Sequence, residues 1–138
     1  MKFEGKILLV DDEAHIRKFV GLLLRKHFAP TVLEAGDGLA ALAIYEQQQP
    51  DLVLLDVNMP HLDGLQTLDR LRKAYPDANV VMLTSLTNRQ TVEECLRLGA
   101  IDYIRKDTPK DELAAQLQRI IEECFAEDPP PTTASLPP

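Results

Sequence analysis

Two stretches decide how this chain folds: Ile7-Leu8-Leu9-Val10-Asp11-Asp12 and Leu52-Val53-Leu54-Leu55-Asp56. Each is a short run, apolar at every position, that stops on aspartate. Such runs read as strands buried on both faces, the pattern of a parallel sheet with helices above and below. Two strands of this kind deliver three carboxylates to one region, where they repel one another unless something cationic sits among them. That points to a divalent metal and to chemistry on phosphate.

Working outward from these runs, the chain alternates between strand and helix. Ile16, Phe19, Val20 and Leu23 recur at helical spacing up to about Phe28, and Thr31 to Ala35 reads as a second strand. Gly36-Asp37-Gly38 turns into a helix carrying Ala41, Leu42 and Tyr45, and Pro50 punctuates before the third strand. Leu65, Leu68, Leu71 and Tyr75 mark a third helix. Val80 to Leu83 forms a fourth strand ending at Thr84. Val92, Cys95 and Leu96 mark a fourth helix, closed by Gly99. Ile101 to Arg105 is a fifth strand ending at Lys106. Thr108 then caps a last helix, with Pro109 at its first position and Leu113, Leu117, Ile120, Ile121 and Cys124 on its apolar stripe. The pattern is (βα)5: five parallel strands covered by helices on both faces.

Composition bounds the function. The 138 residues suit one domain with a real core, and a net charge of −7 argues against a nucleic-acid footprint. No apolar stretch reaches the roughly 20 residues that span a bilayer. Met1 to Lys6 lacks a signal-peptide core, so a cytoplasmic location is expected. Cys95 and Cys124 have neither metal-ligand nor disulfide-framework spacing and read as ordinary thiols on apolar stripes.

In an open parallel sheet, ligands bind outside the carboxyl ends of the strands, where the strand order reverses. The residues at those ends are Asp11, Asp12, Asp56, Thr84 and Lys106. Mg²⁺ takes oxygen ligands from one or two carboxylates, water and phosphate, so this set suits phosphoryl transfer with Mg²⁺. Adjacent Asp11 and Asp12 cannot both point the same way, so one is expected to bind directly and the other through water. Asp56 stands alone and suits a ligand that is also a nucleophile, forming an aspartyl phosphate.

Asp11-Asp12, Asp56, Met59-Pro60 with Asp63-Gly64, Thr84, and Tyr103-Ile104-Arg105-Lys106 together closely resemble the receiver domain of two-component response regulators, the CheY-like family. The resemblance runs from about Lys6 to Phe125. It implies a doubly wound, flavodoxin-like sheet of order 2-1-3-4-5. It implies that Asp56 is the phospho-acceptor, served by the histidine of a sensor kinase or a phosphotransfer protein. Asp12, Asp56 and the backbone carbonyl of Asn58 would then ligate Mg²⁺, with Asp11 acting through water. Lys106 would bind the phosphoryl group, and Thr84 and Tyr103 would form the switch pair. The output face would be the fourth helix, fifth strand and fifth helix, with Arg89, Gln90, Glu93 and Arg97 on its solvent side. Partners would be the kinase and a downstream protein or tethered output domain, with the receiver a monomer or a phosphorylation-dependent dimer.

Plainer readings compete residue by residue. A lone aspartate after a strand is most often a turn or cap residue; the whole set in order is what turns the reading toward a site. His15 and His61 read as solvated side chains near the site, and His27 as a charge at a helix C-terminus. Three positions depart from the family pattern. Asp107 follows Lys106 where proline in a cis bond is usual. A non-proline cis bond costs about 3–4 kcal/mol, so a trans link with its own loop geometry is open here. Ser85 replaces the commoner alanine. Leu86 stands where a polar residue is frequent, and a longer phosphoryl lifetime is expected than with an acid there.

Residues 1–125 are expected to form the receiver and 126–138, with Pro129-Pro130-Pro131 and Pro137-Pro138, a flexible tail or interdomain linker. The chain is thus either a stand-alone switch or the regulatory front of a longer protein. A rival from another class is a haloacid-dehalogenase-type phosphohydrolase, which also uses an aspartate nucleophile and Mg²⁺. Its acidic pair comes last, not first, and its second acid two residues past the nucleophile is here Asn58.

Overall fold

The computed structural model describes residues 3–59, 61–85 and 88–125. The ten elements alternate as the sequence predicts: β1 (Lys6–Val10), α1 (Ala14–His27), β2 (Thr31–Ala35), α2 (Gly38–Gln48), β3 (Leu52–Leu55), α3 (Gly64–Ala74), β4 (Val80–Thr84), α4 (Arg89–Arg97), β5 (Asp102–Arg105) and α5 (Lys110–Phe125). All pairings are parallel and the order is β2-β1-β3-β4-β5, the doubly wound arrangement expected from the resemblance.

Alternation along the strands divides the core between two faces. Ile7, Leu9, Leu52, Leu54, Val81, Leu83 and Ile104 pack with Val20, Leu23 and Leu24 of α1 and Leu113, Leu117, Ile120 and Ile121 of α5. Leu8, Val10, Val53, Leu55, Val80 and Met82 pack on the other face with Ala41 and Tyr45 of α2, Leu68 and Leu71 of α3 and Cys95 of α4. β3 and β4 are buried along their whole length, which is why they carry no polar residue before the end.

Helix ends follow local chemistry. Asp37 caps α2 by accepting from the Ala40 amide, and Asn88 caps α4 by accepting from Thr91. Asp63 and Gln66 form a reciprocal capping box at the start of α3. α4 closes in a Schellman turn: Gly99, at φ 106°, donates to the Leu96 carbonyl, and Ala100 donates to that of Cys95.

Three details differ from the periodicity reading. Phe19 and Leu96 lie on apolar stripes, yet they are 39% and 47% exposed. Ile101 precedes β5 and is exposed rather than opening the strand. The α5 helix starts at Lys110, with Pro109 supplying its carbonyl to the Leu113 amide at the first turn.

Candidate functional site at the carboxyl edge of the sheet

Register brings the acids together. Val10 pairs with both Ala35 and Leu55, so the residues that follow it and Leu55 leave the sheet side by side. The backbone continues the ladder one step further: Asp11 donates to the Ala35 carbonyl at 3.1 Å and Asp56 to the Val10 carbonyl at 2.9 Å. On the other side, Lys106 donates its amide to the Thr84 carbonyl at 2.9 Å, carrying the end of β5 beside the end of β4. Gly64 at the start of α3 donates to the Val57 carbonyl, folding the β3–α3 loop back over Asp56. A Cβ on Gly64 would overlap the carbonyl oxygen of Asp56, so only glycine permits this approach.

Oxygens of Asp11, Asp12 and Asp56 all lie within 4.8 Å of one another. Asp11 and Asp56 are buried at 3% exposure, while Asp12 faces solvent. The Lys106 ammonium stands 2.7 Å from Asp11 Oδ2, 3.2 Å from Asp56 Oδ2 and 3.3 Å from Glu13 Oε1. Asp11 Oδ1 accepts the Glu13 amide at 2.9 Å; its buried Oδ2 accepts no well-directed hydrogen bond, and its contact with Lys106 is ionic.

The charges here do not balance. Four carboxylates, from Asp11, Asp12, Glu13 and Asp56, share one ammonium among the described residues. Burial, and then the neighbouring Asp11 charge, push the Asp56 carboxyl up to about 6, against the opposing pull of Lys106. Burial pulls the Lys106 ammonium down, but its close contacts with the Asp11 and Asp56 carboxylates outweigh that and hold it above its usual value. Closely spaced oxygens, excess negative charge and a buried carboxylate oxygen without a well-directed donor suit a hard divalent cation. The donor set therefore fits Mg²⁺.

Residues 7–118 match the family profile described as the response regulator receiver domain. This chain belongs to the response regulator receiver domain family. The receiver is 39% identical over 118 residues to the uncharacterized transcriptional regulatory protein YhcZ of Bacillus subtilis, covering 82% of this chain and 53% of that one. It is 40% identical over 104 residues to a protein-glutamate methylesterase/protein-glutamine glutaminase of Trichodesmium erythraeum, covering 73% of this chain and 30% of that one. It superposes on the Vibrio cholerae chemotaxis protein CheY4 with a TM-score of 0.78 at 31% identity, covering 86% of this chain and 99% of that one. The receiver thus spans from about half to under a third of the length of these two curated relatives.

Receiver domains are in general signalling switches rather than enzymes, and they interact with histidine kinases and output domains. Of the positions singled out in the sequence, this receiver brings Asp11, Asp12, Asp56 and Lys106 into one cluster. Thr84 ends β4, buried, and Asn58 lies exposed two residues past Asp56. Tyr103 stands on β5 at 37% exposure, beside a groove shared with Glu112 and Arg119 and separate from the acidic cluster. His15, His27 and His61 are exposed, Cys95 is buried and Cys124 half-buried. The Lys106–Asp107 bond is trans, as are all described peptide bonds. Leu86, Pro60 and residues 126–138 lie outside the described residues.

Sequence reasoning missed Glu13. Its only signal was a third acid in the run Asp11-Asp12-Glu13, and its partner Lys106 lies 93 positions away.

Among the described residues, no helix is long and apolar enough to cross a membrane.

Proposed function

We propose that this receiver is a phosphorylation switch in which Asp56 accepts a phosphoryl group from the phosphohistidine of a sensor kinase or phosphotransfer protein. The observation that carries the reading is the Lys106 ammonium lodged between the carboxylates of Asp11 and Asp56. A cation already paired to the nucleophile at the sheet edge is placed to follow the charge as it moves onto phosphate. In the transfer, an Asp56 carboxylate oxygen forms the O–P bond while the P–N bond breaks, and the histidine nitrogen keeps the electron pair. Lys106 and the Thr84 hydroxyl then take the phosphoryl oxygens.

Mg²⁺, held by Asp12, Asp56 and the Asn58 carbonyl with Asp11 acting through water, would neutralise charge building on the phosphoryl oxygens. Movement of Thr84 toward the phosphoryl group leaves room for the Tyr103 ring to turn inward from its exposed position. That exchange reshapes the face of α4, β5 and α5, where Arg89, Gln90, Glu93 and Arg97 are all exposed. Phosphorylation need only bias an existing two-state equilibrium, for which couplings of about 1–3 kcal/mol are typical.

Residues 1–125 form the receiver in this reading, and 126–138 are a Pro-rich tail or an interdomain linker. The test is incubation with Mg²⁺ and acetyl phosphate, followed by intact-mass analysis. Wild type is expected to gain one phosphoryl group and Asp56→Asn none. Equal gain by both, or by neither, defeats the assignment of Asp56.

A further inference from the structure

Phosphorylation as described leaves one large polar side chain beside the cluster without a role. Arg17 lies in the first turn of α1, and its side chain is 20% exposed. Its Nη1 donates to the backbone carbonyl of Asp11, and its Nε donates to Glu34 Oε1 at 3.0 Å. The Asp11 carbonyl belongs to the peptide that joins Asp11 to Asp12. One guanidinium thus holds the plane from which two of the three clustered acids hang. Glu34 is on β2, paired in register with Leu9. That strand brings no reactive group to the edge, but through Glu34 it braces Arg17.

We propose that Arg17 is a positioning residue whose forked grip on the Asp11 carbonyl and on Glu34 fixes the Asp11–Asp12 peptide and thereby sets the affinity of the acidic cluster for Mg²⁺. This rests on the reading of the cluster as a Mg²⁺ site. Charge alone predicts the opposite sign: a cation beside a cation site repels the metal, so deleting it tightens binding. Orientation predicts weaker binding when the fork is lost. Lysine separates the two, because it keeps the charge but lacks the planar fork that meets two acceptors at once.

The experiment is calorimetric titration of Mg²⁺ into metal-free protein at fixed ionic strength, with urea midpoints in EDTA to show that each variant is folded. Arg17→Met is expected to weaken Mg²⁺ binding about tenfold or more, the usual scale for groups that orient metal ligands. Arg17→Lys and Glu34→Gln are expected to weaken it by several-fold. Because orientation acts on binding, saturating Mg²⁺ should bring Asp56 phosphorylation in the variants back near the wild-type rate. If Arg17→Met does not fold, Arg17→Lys and Glu34→Gln decide alone. An unchanged dissociation constant in Arg17→Lys, or tighter binding in Arg17→Met, overturns the proposal. A wild type that shows no saturable Mg²⁺ binding overturns the metal-site reading and the proposal with it.

Discussion

Asp56 is held in a place that resists its charge, and that has a consequence for stability. Its carboxyl titrates near 6 in the folded chain, with burial the main cause, against an ordinary value of 3.8. A raised folded value means that the folded state holds the proton more tightly. The stabilisation is therefore fully present below about 4, and it is lost as pH rises through about 6. Two units correspond to about 3 kcal/mol. Asp56→Asn is therefore expected to be more stable than wild type by up to about 3 kcal/mol at pH 7.5 in EDTA, with the advantage gone by pH 4. Urea unfolding of both proteins across that range checks it; a difference independent of pH would contradict the burial argument. Mg²⁺ should act in the same direction on wild type, since binding only the folded state stabilises it. Asp11, Asp12 and Asp56 were legible in the sequence because apolar runs end on them, and Lys106 because it closes the last strand of the alternating pattern, Tyr103-Ile104-Arg105-Lys106. Glu13 and Arg17 were not. Their partners, Lys106 and Glu34, become neighbours only once β5 and β2 are in place, and nothing in local periodicity encodes that.

At the scale of elements, the strands were legible because burial on both faces leaves an uninterrupted apolar run. Helix stripes were less so. Leu96 sits at helical spacing with Cys95 and Val92, yet α4 is a short helix with only Cys95 buried, so its flank stays open to solvent. The β3–α3 junction shows how an element end controls the site. Gly64 opens α3 directly against the Asp56 backbone, and an added methyl would collide with the Asp56 carbonyl and with Val57 Cα. Because the obstacle is backbone, it cannot step aside without moving Asp56. Gly64→Ala is expected to cost about 1–3 kcal/mol of stability, the usual range for overpacking. It should also slow acetyl phosphate labelling of Asp56 at saturating Mg²⁺ by about tenfold or more, since displacements near 1 Å are that costly to reacting groups. Labelling at the wild-type rate would show that the junction yields without shifting Asp56.

For the whole molecule, the sheet makes one site from parts distant in sequence, and the helices on its two faces hold that sheet. The core against α1 and α5 extends to the last described residues: Cys124 and Phe125 pack on it, and the Phe125 ring lies 4.8 Å from that of Phe3. Phe3 is itself tied to the end of α1 by its amide, which donates to the Phe28 carbonyl at 2.7 Å. The last turn of α5 therefore closes a contact between both ends of the described region. We propose on this ground that the thermodynamic boundary of the domain lies at Phe125, just before the sequence turns Pro-rich. A protein ending at Phe125 is expected to unfold at the same urea midpoint as the full chain and to accept phosphate at Asp56 equally well. One ending at Glu122 loses the Phe3–Phe125 contact and the half-buried Cys124, and it should be less stable by about 1–3 kcal/mol. If removing 126–138 alone lowered the midpoint by that much, the boundary would lie beyond Phe125, and the Pro-rich segment would belong to the domain.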